Sequence, residues 1–193
     1  GTLSLGGGTT AAFVGGVLSS HAVTISNTGN FTITARRTVS GTSNLFAVNP
    51  GGVNNFLVET VGGGVIPTQT AGTPFNIRIT ARDASNNTVT SFTGTATLTS
   101  VTGGLVGDPL ASGPFVLGVL ASQSVTLTSA GASRTITATS GGATGTSNTF
   151  TVNPGVLNNF LVESSTGGNI PAQTAGSPFN IKVTARDANN NTV

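Results

Sequence analysis

One stretch of sixteen residues recurs in the chain with three substitutions, and this repeat constrains the fold more than any other feature. PFNIRITARDASNNTV begins at Pro74, and PFNIKVTARDANNNTV begins 104 positions later, at Pro178. Other matching segments keep this offset, so the repeat unit has about 104 residues, the size of a small domain and far longer than a solenoid repeat. The sequence therefore predicts tandem domains.

The repeat also predicts where the domains begin and end. The first fifty residues resemble the later half of the unit, since the string GTSN occurs at the same place in both. We predict the C-terminal part of one domain at 1–50, a complete domain at 51–153 and the N-terminal part of a further domain at 154–193. The joints, Asn49-Pro50-Gly51 and Asn153-Pro154-Gly155, are short and lack a long polar linker. They predict that neighbouring domains are connected semi-rigidly.

Alternating apolar and polar residues indicate strands, and no segment shows a helical period. Within the complete domain we predict seven strands near 55–61, 74–83, 93–99, 115–120, 123–129, 133–139 and 147–152. Their inward positions are Phe56, Val58, Phe75, Ile77, Ile79, Leu98, Val125, Leu127, Ile136, Ala138, Phe150 and Val152. This pattern predicts an all-β fold of tandem immunoglobulin-like sandwich domains.

The low charge of the chain restricts its partners. Charged residues make up 6% of the sequence and the net charge is +2, without the stripe of Lys and Arg that nucleic-acid binding requires. No apolar run reaches the roughly 20 residues of a membrane span. A surface of Thr, Ser and Asn with few charges is poorly protected against self-association. We therefore expect partners among copies of the chain or adjoining repeats, with no nucleic acid and no membrane span in these residues.

The segment AGTPFNIRITARDASNNTVTSFTGTATLT, from Ala71 to Thr99, together with the closing TFTVNPG, resembles the tandem bacterial immunoglobulin-like (Big/invasin-like) domains of large secreted surface proteins. In that family an Asp followed by Asn-x-Val marks a turn after an early core strand, and Asp83, Asn87 and Val89 match it. The resemblance implies an extracellular or cell-surface location in a bacterium, in a stalk, an adhesin, a surface layer or a filament. It implies no single ligand.

Titratable side chains are too few and too scattered for catalysis, so we expect neither an enzyme nor a cofactor. His21 and five acids are all the chain offers, and we assign His21 no role. A calcium site would have to combine Glu59 with Asp83, which requires the end of the first strand to approach the turn. We favour a simpler interpretation, in which Asp83 caps its turn by accepting hydrogen bonds from backbone amides. Glu59 then forms a surface ion pair with Arg78 or Arg82.

Two groups of apolar residues are candidates for an interface. Segment 100–113, SVTGGLVGDPLASG, contains a nine-residue insertion relative to the first copy, and it carries Leu105, Val106 and Leu110. These residues either contact a partner or belong to an edge strand or a flap over the core. The second group, Phe179, Ile181 and Val183, lies on the repeated strand and must find partners beyond these residues. A longer continuous chain would supply them, which we favour, or the first fifty residues of a neighbouring copy would.

These observations predict a structural repeat section of a secreted bacterial surface protein, built by end-to-end and lateral association of immunoglobulin-like domains. The alternative is an adhesin module that grips a host or matrix glycan or protein through variable loops such as 100–113. The absence of Trp and Tyr argues against a lectin, because sugar sites usually use exposed aromatic rings.

Overall fold

The computed structural model describes residues 9–102 and 104–193, and within these ranges the regular structure is entirely β. The predicted all-β class is confirmed. Gly1 and Leu5, which the repeat aligns with Gly94 and Leu98, lie outside the described residues.

The described residues form sixteen short strands. They are β1 (Gly29–Phe31), β2 (Thr34–Arg36), β3 (Ser40–Thr42), β4 (Phe46–Val48), β5 (Asn55–Thr60), β6 (Gln69–Thr70), β7 (Phe75–Arg82), β8 (Thr97–Ser100), β9 (Leu110–Ala111), β10 (Val119–Val125), β11 (Gly131–Arg134), β12 (Ile136–Ser140), β13 (Ala143–Thr146), β14 (Phe150–Asn153), β15 (Asn159–Ser164) and β16 (Ile181–Arg186).

We describe strand pairing in three parts of the chain, which we call the first section (9–50), the middle section (51–153) and the last section (154–193). The first section contains the pairs β1-β4 and β2-β3, and the last section contains β15-β16. The middle section contains a seven-stranded sheet, β10-β7-β5-β13-β12-β8-β9, and a three-stranded sheet, β11-β14-β6. Each of these sheets lies within one section, and the exact domain boundaries stay a prediction.

The hydrophobic core lies in the middle section, between its two sheets. Eleven of the twelve predicted inward residues are buried, and Phe75 is half-buried at the start of β7. The ring of Phe75 packs edge-on against Phe150, with centroids 5.9 Å apart. Phe115, which the alternation did not identify as inward, is also buried and packs against the rings of Phe56 and Phe92.

A glycine permits the closest approach between two strands of the large sheet. Strands β13 and β5 run parallel and meet at Thr144 and Asn55. A Cβ atom on Gly145 would overlap the carbonyl oxygen of Phe56, so any side chain there would force the strands apart. This contact joins β12 and β13 to the strands that carry the repeated sequence.

The predicted strands 115–120 and 123–129 correspond to a single strand, β10, with a bulge between Leu120 and Gln123. A bulge inserts unpaired residues and disturbs the alternation, which explains the split in the prediction. Strand β13 was missed because its sequence, ATGT, has no large apolar residue to alternate. In the insertion, β9 is an edge strand on β8, so part of segment 100–113 takes the edge-strand alternative.

Candidate functional site: the joints between sections

Each repeated strand ends in a turn that is organised by one carboxylate. Asp83 follows β7, and its Oδ1 accepts hydrogen bonds from the amides of Ser85 and Asn87, both at 2.9 Å. Asn86 takes a left-handed conformation with φ 65°, which Asn tolerates better than most residues. The predicted turn-capping role of Asp83 is confirmed.

The same carboxylate also holds the chain as it enters the middle section. Oδ2 of Asp83 accepts the amide of Gly51 at 3.0 Å, and the side-chain amide of Asn87 donates to this oxygen at 3.0 Å. Asp83 is buried. The Asn87 side chain and the amides of Gly51, Asn87 and Ser85 together outweigh burial, and they hold the pKa of Asp83 below its usual value.

Asn87 continues this network into the preceding section. Its Nδ2 donates to the backbone carbonyl of Ser26 at 2.7 Å, across 61 positions of sequence. One side chain therefore contacts the cap of its own turn and the main chain of the first section. We call this arrangement, Gly51, Asp83, Asn87 and Ser26, the first joint.

The second joint has the same chemistry 104 positions later. Oδ1 of Asp187 accepts the amides of Asn189 and Asn191 at 2.8 Å, and Oδ2 accepts the amide of Gly155 at 2.8 Å. Nδ2 of Asn191 donates to Oδ2 of Asp187 and to the carbonyl of Thr128, each at 2.8 Å. Burial raises the pKa of Asp187, but the hydrogen bonds from Asn191 and these backbone amides lower it by a larger amount. The pKa of Asp187 is therefore below its usual value.

The second joint has an additional contact, in which the amide of Ala130 donates to Oδ1 of Asn191 at 2.8 Å. Gly72 of the middle section also lies against the turn, because a Cβ there would come within 2.7 Å of Nδ2 of Asn189. Gly72 has a φ of +78°, so its backbone also favours glycine. Two side chains of the last section, Asn189 and Asn191, therefore both meet the main chain of the middle section.

The carbonyls that receive the two asparagines occupy equivalent positions. Ser26 ends the string HAVTIS and Thr128 ends the string QSVTLT, with the same offset that relates His21 to Gln123. Sequence reasoning identified the turn but missed this contact, because a backbone carbonyl carries no side-chain signature. The available signal was the recurrence of Asn87 as Asn191.

The predicted ion pair of Glu59 is confirmed, with Arg78 as its partner. Nη2 of Arg78 lies 2.8 Å from Oε2 of Glu59, and the equivalent pair of Lys182 with Glu163 is 3.6 Å apart. Burial raises the pKa of Glu59, whereas Arg78 and the amide of Gly64 lower it by a larger amount. The pKa of Glu59 is therefore below its usual value. Within residues 9–102 and 104–193, no three acidic or histidine side chains cluster in a way that could hold a metal ion.

The predicted interface residues lie in different environments. Leu105 is buried in the core and Leu110 is half-buried on β9, whereas Val106 is 55% exposed. Phe179, Ile181 and Val183 are about half exposed, at 51%, 49% and 53%. The burial of Leu105 agrees with a segment that folds back onto the domain. A role for the others at an interface stays a prediction.

No family model matches the sequence, and no curated protein matches it. Among solved structures, the chain is similar to domains 1–6 of the surface layer protein SbsC, at 20% identity and a TM-score of 0.36. That match covers 81% of this chain and 19% of the SbsC structure. A structure of domains 5–6 of the S-layer protein SbsC matches at 24% identity and a TM-score of 0.33, covering 75% of this chain and 66% of the other.

The chain thus spans about a fifth of the first of these structures. In the part of the chain that the structure describes, no helix is long and apolar enough to cross a membrane.

Proposed function

We propose that the chain is a structural section of a secreted bacterial surface protein, in which immunoglobulin-like domains follow one another end to end in a stalk, a surface layer or a filament. The repeated joint supports this proposal most strongly. Asn87 and Asn191 donate to equivalent carbonyls of the preceding section, Ser26 and Thr128. Because the same contact forms at two equivalent positions, we infer that its role is repeated along the chain.

The joint acts by restricting bending. The chain enters each new section through a glycine, Gly51 or Gly155, whose amide is held by the capped turn of that section. The asparagine of the same turn grips the preceding section, so a bend must break its hydrogen bond to the carbonyl. Such a bond contributes about 0.5 to 1.5 kcal/mol net, which favours the bonded orientation by roughly 2- to 13-fold over one that lacks the bond. Repeated along a chain, these contacts produce an extended and semi-rigid arrangement.

A binding-module role has less support from the described residues. It relies on segment 100–113, where Leu105 and Leu110 pack toward the domain rather than toward a partner. Val106 alone of the predicted residues there remains largely exposed.

Distance measurements between spin labels test the stiffness of the first joint. The chain contains no cysteine, so the exposed residues Ala47 and Thr97 can be replaced by Cys and labelled, one on each side of the joint. We expect a narrow distance distribution that becomes clearly broader in the Asn87→Ala background. Asn86→Gly is the matched control, because Asn86 is exposed in the same turn and glycine accepts its φ of 65°. Equally broad distributions in all three proteins would refute the proposed role of the joint.

A further inference from the structure

The segment that carries the insertion of the middle section lies against the chain that receives the second joint. Leu105 forms an antiparallel bridge with Leu127, the residue before Thr128, whose carbonyl accepts Asn191. Both leucines are buried in the core. We call residues 104–106 the bridge segment and residues 126–130 the acceptor segment. The bridge segment is therefore fixed to the core where it meets the acceptor segment.

Hydrogen bonds on both sides of this bridge hold the acceptor segment. The amide of Thr128 donates to the carbonyl of Gly104 at 2.7 Å, and the hydroxyl of Thr128 donates to the same oxygen at 3.1 Å. On the other side of the bridge, the amide of Val106 donates to the carbonyl of Thr126 at 2.9 Å. The amide and hydroxyl of Thr128 thus bind the bridge segment, while its carbonyl binds Asn191.

Gly104 shows how closely the two segments approach. Its φ is +94°, and a Cβ there would lie 2.9 Å from the backbone nitrogen of Ser129. The backbone conformation and the lack of space therefore both favour glycine at this position. Ser129 lies between Thr128 and Ala130, the two residues that contact Asn191. The bridge segment thus covers the part of the chain to which the last section binds.

The other end of the acceptor segment is held by an arginine. Arg134 of β11 donates to the carbonyl of Ala130 and to the hydroxyl of Thr102, which also belongs to segment 100–113. The amide of Ala130 donates to Oδ1 of Asn191 at 2.8 Å. Both residues that contact Asn191, Thr128 and Ala130, are therefore connected by hydrogen bonds to the segment that carries the insertion.

The insertion is not part of the repeated sequence that builds both joints. Between Leu98 and Phe115 the chain is nine residues longer than between the equivalent Leu5 and Phe13. The turn and its asparagine, by contrast, occur at both joints, as Asn87 and as Asn191. The bridge segment is thus an addition to the second joint.

We propose that the bridge segment is a positioning element of the second joint, which fixes the carbonyl of Thr128 and the amide of Ala130 so that Asn191 binds both at once. The inference rests on the proposed function and deepens it, because it identifies residues outside the repeated turn that determine the stiffness of one joint. An acceptor that is already held loses less conformational freedom when Asn191 binds it. The length of this loop therefore adjusts a joint separately from the repeated sequence.

Val106→Pro tests this role with a small change. Val106 is the second residue of a turn in which the amide of Asp108 donates to the carbonyl of Leu105 at 3.1 Å. Gly107, the third residue, has a φ of +80°, as in a type II turn, where proline is common at the second position. Proline therefore fits the turn and removes the amide that donates to Thr126. Val106→Ala is the matched control, because it changes the same exposed side chain and keeps the amide.

Spin labels on Asn76→Cys and Ser165→Cys, both exposed and one on each side of the second joint, measure its stiffness. We expect Val106→Pro to broaden the distance distribution and Asn191→Ala to broaden it at least as much, whereas Val106→Ala keeps the original width. In the Asn191→Ala background, Val106→Pro should cause no further broadening, because the bridge segment acts through Asn191. A role confined to packing of the core would lower the melting temperature and leave the width unchanged.

Hydrogen exchange at the amide of Ala130 gives an independent measurement, because this amide donates to Asn191. Val106→Pro should accelerate its exchange by up to about 13-fold, the effect of one hydrogen bond, while Val106→Ala exchanges at the original rate. Thr128→Val removes only the hydroxyl that donates to Gly104, and it should shift both measurements in the same direction even if the proline variant does not fold.

The outcomes separate the two proposals. If Asn191→Ala broadens the distribution but Val106→Pro and Thr128→Val do not, the role of the bridge segment is refuted and the joint stands. Additive broadening in the Val106→Pro/Asn191→Ala variant also refutes that role. If Asn191→Ala leaves the width unchanged, the second joint does not restrict bending, and the proposed function fails together with this inference.

Discussion

Removal of the Asp83 carboxylate should destabilise the middle section by about 3 kcal/mol. The carboxylate accepts the backbone amides of Gly51, Ser85 and Asn87 and the side-chain amide of Asn87. A hydrogen bond to a charged group contributes about 1.5 to 3 kcal/mol. Because Ser85 and Gly51 are exposed, water can partly replace the carboxylate at their amides. The half-buried Asn87, which donates both its backbone amide and its side-chain amide, accounts for most of the loss.

Thermal and urea unfolding of Asp83→Ala, followed by circular dichroism, measures this loss. At about 4 to 8 °C per kcal/mol for a domain of this size, the melting temperature should fall by roughly 12 to 24 °C. Ser85→Ala is the control, because it keeps the backbone amide and removes only an exposed hydroxyl. A fall of less than about 3 °C in Asp83→Ala would show that the turn does not depend on its carboxylate.

Acid provides a second check on the same residue. The folded state holds the pKa of Asp83 below its ordinary value of 3.8, so the unfolded chain takes up the proton first as the pH falls. The stabilisation by the carboxylate is therefore present above about pH 4 and is lost as the pH falls through the lowered folded pKa. Glu59, Glu163 and Asp187 also have lowered pKa values, so the wild type and the Asp83→Ala variant both lose stability in acid. The difference in unfolding free energy between wild type and Asp83→Ala should shrink below pH 4, and a constant difference would contradict the role of the charge.

Two further substitutions test the packing of the middle section. Gly145→Ala places a Cβ on the carbonyl of Phe56 and should prevent stable folding, whereas Gly41→Ala should leave the melting temperature unchanged; equal melting curves would contradict the close approach of β13 and β5. Phe115→Ala removes a buried ring whose centroid lies 5.0 Å from that of Phe92. It should cost about 3 to 5 kcal/mol in urea unfolding, and a loss below about 1 kcal/mol would show that the ring is not enclosed.

The sequence predicted the core of the middle section well, because strand alternation reports burial directly. Ile77, Ile79 and Leu98 are each 0% exposed, as their positions indicated. Prediction failed where the chain departs from a two-residue period. The bulge in β10 and the small residues of β13 removed the alternation, and Phe115 lies in an irregular segment between β9 and β10, where the period does not apply.

The joint was predictable in part. Asp83 was identified as a turn cap because Asp, Ser and Asn in sequence favour side-chain hydrogen bonds to nearby amides. The contact of Asn87 with Ser26 was not predictable from residue type, since every residue has a carbonyl. Its position depends on how two sections meet, which local sequence does not encode.

The second joint forms although the sheet of its own section is uncovered. Asp187 is 1% exposed, while Ile181 and Val183 on the strand before it are about half exposed. Its partners are the nearby turn amides, Gly155 and, through Asn191, the chain at Thr128 and Ala130 of the middle section. The joint therefore requires the preceding section and the turn after β16, and not the strands that would close the following sandwich.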